Sequence, residues 1–140
     1  MPESAVTIAV DMQLQYRHPL GALSPYFRAL QEGRALASRW RGRTYFPPRL
    51  PPDGRPPEWV ELTGLGTVIA ITRAHGLPGP TGEAATTSAC VLVAMDGAGN
   101  MVVGRVHDSR SLQPGCRLQL SVAENLTPAF PLSLGFKRFA

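Results

Sequence analysis

Lysine is almost missing from this chain: Lys137 is the only one, so the formal charge of +4 over 140 residues and the pI near 9.7 rest on arginine. Aromatics are also scarce, and no Phe, Tyr or Trp occurs between Val60 and Ala129. That gap matters because single-strand nucleic-acid binding on small β-barrels stacks bases on aromatic side chains. No run approaches the eighteen or so apolar residues of a membrane span. The opening MPESAVTIAV lacks the basic region and long apolar stretch of a secretory signal, and a cytoplasmic location is expected. With Cys90 and Cys116 as the only cysteines, each in an apolar strand pattern, two reduced, buried thiols are expected. A disulfide between neighbouring strands would suit an exported protein better. There is no phosphate-cradling glycine loop, nucleophile elbow or metal-ligand spacing.

What is present is a concentration of arginine. Arg34, Arg39, Arg41, Arg43, Arg49 and Arg55 lie within one short stretch against a single acid, Asp53. Planar guanidinium forks suit phosphate, carboxylate and protein-interface contacts; the alternative is that they merely solvate a surface. The same stretch predicts a tight hairpin with Gly42 in its turn, a strand through Thr44, Tyr45 and Phe46, and a stop at Pro47 and Pro48. Packing of Trp40, Tyr45, Phe46 and Trp59 on one another is expected to fix it; a mobile proline-rich loop is the alternative.

Upstream, Val6 to Val10 can pair as an edge strand, and residues 13–23 read as an extended arm that folds back or clasps a partner. A short helix is expected from an N-cap at Ser24, with Pro25 first, Phe27 and Leu30 on one face and Gly33 as its stop. Downstream the periodicity is β. A long first strand runs from Trp59 through Ile71, bent at Gly64 and Gly66. Thr87 to Met95 and Met101 to Val106 form a hairpin around Asp96 to Asn100. A turn over Ser109 to Pro114 precedes the alternating Leu118, Leu120 and Val122, and Leu132, Leu134 and Phe136 supply a fifth strand. Five strands fit a small closed barrel or a sandwich.

The order of motifs resembles one family, the acyl-CoA-associated family long catalogued as a domain of unknown function, in which a rubredoxin-like zinc ribbon precedes an OB-fold. The resemblance rests on Gly42, the run Tyr45 to Arg49, Trp59 to Leu62, Gly64 to Val68, and Glu32, Gly33 and Arg34 after an aromatic-rich helix. It implies a mainly β chain: an N-terminal arm and helix over 1–33, a ribbon-like hairpin over 34–58 and a five-stranded OB-fold barrel over 59–140. The family's four zinc-ligand positions fall here on Ser38, Arg41, Leu50 and Asp53, none of them cysteine, so a degenerate ribbon without zinc is expected. The resemblance further implies a non-catalytic accessory subunit that binds a thiolase-like or other acyl-CoA-handling enzyme and helps position acyl-CoA, with a coenzyme A thioester as its ligand. The partner or acyl-CoA contact is then expected at Arg39, Trp40, Arg41, Arg43, Tyr45, Phe46 and Arg49; FKRFA at the C-terminus is either an ordinary last strand with a frayed tip or a second contact. An OB-fold nucleic-acid-binding protein is the alternative, with Arg73, Arg105 and Arg110 as phosphate contacts. For catalysis the residues offer little: His107 and Asp108 are adjacent on a strand, where neighbours point to opposite faces, and His18 and His75 fall on loops.

Overall fold

The computed structural model describes residues 4–15, 19–73, 89–121 and 134–139. The expectations for His18, His75, Thr87, Val122 and Leu132 lie outside them. A 3-10 turn, Gly21–Leu23, runs into helix α1, Ser24–Gln31. Strands β1 (Ala35–Trp40), β2 (Arg43–Tyr45) and β3 (Glu58–Leu62) form a three-stranded antiparallel sheet in the order β2-β1-β3. Strands β4 (Leu65–Thr72), β5 (Ala89–Met95), β6 (Met101–Val106), β7 (Arg117–Leu120) and β8 (Gly135–Arg138) close a barrel in the order β4-β5-β6-β8-β7. The fold is thus mainly β, with an OB-like five-stranded barrel and one short N-terminal helix.

Three expectations change. Ser24 is not the N-cap: its N–H bonds to the carbonyl of Gly21, it has helical dihedrals, and no side chain caps the helix. The preceding 3-10 turn draws Ser24 into the helix. At the other end Gly33 has φ +75°, its N–H donates to Leu30 O and that of Arg34 to Ala29 O, the paired closure of a left-handed stop. Second, Trp59 to Leu62 do not begin the barrel. They form β3, which pairs with β1 from Ala35↔Leu62 to Arg39↔Glu58. The barrel starts at Leu65, and the irregularity in β4 falls between Val68 and Ala70 rather than at a glycine. Third, Cys90 and Cys116 are free but only half-buried; Cys90 lies on the outward side of β5, between the buried Ala89 and Val91.

Alternation fills the core. β5 sends Ala89, Val91, Val93 and Met95 inward, and β7 sends Leu118 and Leu120, as two-residue periodicity requires. Val91, Val93, Met95, Leu118 and Leu120 join Tyr26 and Leu30 of α1, Ala35 and Ala37 of β1, and Phe46 in one hydrophobic cluster. The short helix therefore survives by burial, since eight residues have little stability alone. The outward side of the barrel is aliphatic across three strands: Ala70 is opposite Leu92 and Leu92 opposite Val103, with Ala94 and Met101 a further cross-strand pair. No aromatic ring stands on it, as the sequence gap dictates.

This packing makes two outcomes measurable. A Cβ at Gly104 would lie 2.5 Å from Cδ2 of the buried Phe136 and 3.0 Å from the Leu134 carbonyl oxygen. Gly104→Ala is expected to cost about 1–3 kcal/mol in denaturant titration, the usual range for overpacking. Arg117 donates to Asp96 at 2.9 Å and to Thr67 at 2.9 Å, tying the β5–β6 turn to β7 and β4. That hydrogen bond holds the Asp96 carboxyl below its ordinary 3.8. The pair's stabilisation is therefore present above the ordinary carboxylate range and is lost as pH falls through the lowered folded value. The thermal midpoint of Asp96→Asn should lie below that of the parent at neutral pH, and the gap should close below about pH 4.

Candidate functional site: an arginine ladder on the hairpin

The β1–β2 turn has two central residues, Arg41 at φ +50° and Gly42 at φ +73°. Positive φ at both is the geometry that matches the twist of a two-residue hairpin. Cross-strand pairing then sets the faces: Trp40 is opposite Arg43 and Ser38 opposite Tyr45, so all four share one side of the sheet. After Phe46 the chain turns back through Pro47 and Pro48, with the Phe46–Pro47 peptide cis, and delivers Arg49 to the same side. The buried Ser38 fixes it there. Its hydroxyl accepts from the Arg49 N–H at 2.7 Å and donates to the Arg49 carbonyl at 2.9 Å.

This pinning produces an alternation of guanidinium and ring. The Arg49 guanidinium lies 5.7 Å from the Trp40 ring centroid and 5.6 Å from that of Tyr45. Arg41 lies 4.5 Å from Trp40, and Arg43 lies 5.6 Å from Tyr45. All four distances fall within the roughly 6 Å over which a ring face attracts a cation. The order along the face is Arg41, Trp40, Arg49, Tyr45, Arg43.

The arginines of the stretch divide into two groups. Glu32 and Glu61 pair with Arg34, Glu58 with Arg39 at 3.6 Å, and Asp53 with Arg55 at 2.9 Å. Among the described residues, Arg41, Arg43 and Arg49 have no carboxylate partner. Folding thus narrows a six-arginine stretch to three cations stacked on two rings. Beside them a cleft of about 220 Å³ is lined by Arg39, Trp40, Arg41, Arg55, Pro51 and Pro56, among others. An anion entering it meets Arg41 together with Arg39 and Arg55, which are paired with Glu58 and Asp53, and the Glu58 carboxylate also lines the wall; a flat apolar group meets the indole and the prolines.

The structure therefore brings together five of the seven expected contact residues, Trp40, Arg41, Arg43, Tyr45 and Arg49. Arg39 is on the alternate face of β1 and pairs with Glu58; it lines the cleft but stacks on neither ring. Phe46 is fully buried, its ring edge-on to Tyr26 with centroids 6.0 Å apart, and offers nothing to a partner. The expected packing of Trp40, Tyr45, Phe46 and Trp59 on one another is also corrected: Trp40 and Tyr45 hold arginines, while Phe46 and Trp59 turn to the core. Nor do the four positions aligned with zinc ligands make a donor set. Ser38 is engaged with Arg49, Arg41 stacks on Trp40, Leu50 has no donor side chain, and Asp53 bonds to Arg55.

Sequence reasoning missed the residues that mount the ladder on the barrel. Asn100, in the β5–β6 turn, accepts from the Phe46 N–H at 3.0 Å and donates to the Phe46 carbonyl at 2.9 Å. Next to it, Gly99 N–H donates to Thr44 O at 2.7 Å and Gly99 O accepts from Arg43 at 2.7 Å. A Cβ on Gly99 would come within 3.0 Å of Arg43 Cγ. The sequence signals only a turn there, not what the turn touches. At the far end of β6, His107 and Asp108 lie beyond the strand. Asp108 accepts from Arg110 at 2.9 and 2.8 Å, which holds its carboxyl down to about 2.

No family model matches the chain, and no curated protein matches it in sequence. Solved structures match it in fold. A protein of unknown function from the DUF35 family of Sulfolobus solfataricus superposes with a TM-score of 0.54 at 16% identity, over 87% of this chain and 90% of that one. The Ltp2–ChsH2(DUF35) aldolase superposes with a TM-score of 0.55 at 21% identity, over 76% of this chain and 87% of that one. At these identities the likeness is one of fold.

The mounting is testable. Asn100→Ala leaves the amide and carbonyl of Phe46 without their partner and should destabilise the chain by about 1–3 kcal/mol in denaturant titration. Hydrogen exchange at Phe46 should accelerate in that variant while the amides of β5 keep their protection.

Proposed function

We propose that this chain is an accessory subunit that binds a thiolase-like or other acyl-CoA-handling enzyme and supplies orientation rather than a reacting group. The observation that carries this reading is the ladder itself: three arginines without carboxylate partners, stacked on Trp40 and Tyr45 and mounted on a barrel by backbone contacts. Tryptophan, tyrosine and arginine are the residue types most enriched where protein interfaces concentrate their energy. Stacking holds each guanidinium in place before a partner arrives, so less side-chain freedom is lost on binding. The fold neighbours support the same reading, since one of them is a complex, the Ltp2–ChsH2(DUF35) aldolase.

In the assembled enzyme the hairpin docks against the partner. The partner provides the nucleophile. The cleft between Trp40 and Arg55 receives the nucleotide end of coenzyme A, its phosphates on the guanidinium groups and its base against the indole. Holding the thioester's remote end in this way raises the effective concentration of the reacting end in the partner's site.

Affinity purification of the tagged chain from its native host should recover a stoichiometric thiolase-like companion. Arg41→Ala with Arg49→Ala should weaken that complex roughly 30-fold or more, the scale of losing one interface hot spot, without moving the chain's own melting temperature. Arg43 is kept in this test because it also bonds to the barrel at Gly99. Absence of a companion, together with nanomolar binding of single-stranded oligonucleotide at physiological salt, would replace this reading with nucleic-acid binding.

A further inference from the structure

Residues 4–15 form no helix and pair with no strand among the described residues, yet their composition is that of a strand. Val6, Ile8, Val10, Met12 and Leu14 recur at every second position, alternating with Thr7, Ala9, Asp11 and Gln13. Period-two alternation puts all five on one side of an extended chain and leaves the small and polar residues on the other. Helical spacing would scatter them. These five are among the most exposed large apolar residues of the described chain, from 62% at Leu14 to 91% at Val6. An amphipathic strand in that condition has lost its ordering entropy with no burial in return.

The chain also carries a surface of matching character. The outward side of β4, β5 and β6 presents Ile69, Ala70, Leu92, Ala94, Met101 and Val103, with Ile69, Met101 and Val103 at 42%, 53% and 66% exposure. A shallow groove of about 160 Å³ runs between Ala70, Leu92 and Val103. Within this stretch there is no ring to stack a base, and the one charge on the same side of β6 is Arg105, opposite Cys90 at the end of the face. Aliphatic strap and aliphatic face are each uncovered in a single copy.

We propose that the chain forms a two-fold dimer by strap exchange, in which residues 6–14 of each copy lie across the Ile69–Leu92–Val103 face of the other. A nine-residue strand covers a strip about 30 Å long and about 10 Å wide. Two straps counted on both partners then approach about 1,200 Å², where specific interfaces begin. One strap alone falls well short. Reciprocal exchange is the arrangement that uses both surfaces of both copies and closes, leaving no strap free to recruit a third. This inference is independent of the arginine ladder, which lies on the other sheet.

Sedimentation analysis of the full chain across the micromolar range should show a dimer. Ile8→Lys with Val10→Lys should give a monomer with unchanged circular dichroism, as should Val103→Lys on the face. Thr7→Lys with Ala9→Lys, on the strap's other side, should remain dimeric. Mixing the Ile8/Val10 variant with the Val103 variant should leave association far weaker than in the parent, because that pair retains only one intact strap on one intact face. A parent chain that is monomeric throughout, a dimer indifferent to both sets of variants, or a monomer whose strap amides are protected by folding back would each overturn the exchange. A monomer that needs its strap to hold a thiolase-like companion would overturn it too, while leaving the accessory reading standing.

Discussion

The grip of Asn100 on the backbone of Phe46 is the constraint on which the rest of the molecule depends. Two separate sheets, one of three strands and one a closed barrel, share no ladder of strand pairing. A carboxamide that both accepts from and donates to one residue acts as a one-residue strand, and here it splices the end of β2 to the β5–β6 turn. The splice also places Phe46. With its amide and carbonyl satisfied, the ring can enter the core beside Tyr26 without stranding buried polar groups, and burying a phenylalanine is worth about 1.5–3 kcal/mol. Hydrogen bonding and apolar burial therefore reinforce each other at a single position.

Fixing Phe46 also fixes the residues just after it in the chain. Arg49 comes three residues later and is caught by Ser38, so its guanidinium is held between two rings. Three like charges in one short stretch repel, and the negative faces of Trp40 and Tyr45 between them offset part of that cost. The acids that fold nearby go to Arg34, Arg39 and Arg55 and leave the ladder charged. The resulting field is short-ranged in salt, over about 8 Å at physiological strength, which suits a surface that acts on contact.

Much of this architecture is legible in the residues. The Arg41–Gly42 turn, the hairpin from Ala89 to Val106 and the inward Leu118 and Leu120 all arise from turn chemistry and two-residue alternation, which are local properties. Which sheet a strand joins is not a local property. Trp59 to Leu62 have the alternation of a barrel strand, and nothing within them says that β1 will claim their hydrogen bonds. The same limit explains the aromatics. Trp40 and Tyr45 are equally good core or stacking residues, and the position of Arg49 decides between the two roles. Ser38, where the family resemblance would put a ligand and no zinc is expected, has a hydroxyl that clasps a residue eleven positions away.

A metal-tied ribbon draws its rigidity from an ion that four side chains hold at once. In this chain the hairpin is held without such an ion in the contacts described, each of which involves the backbone: Ser38 to both polar groups of Arg49, Asn100 to both of Phe46, and Gly99 to Thr44. Such contacts fix the path of the main chain and leave side chains free to be chosen for other purposes, which thiolate ligands would not allow. Arg41, at the hairpin turn, shows the consequence: with the turn set by backbone geometry, its side chain is free to add a cation to the face. The closed barrel then separates that cationic face from an aliphatic one across β4, β5 and β6, and the two differ enough in chemistry that one partner surface cannot satisfy both. A cationic face and an aliphatic face can therefore serve different contacts without competing.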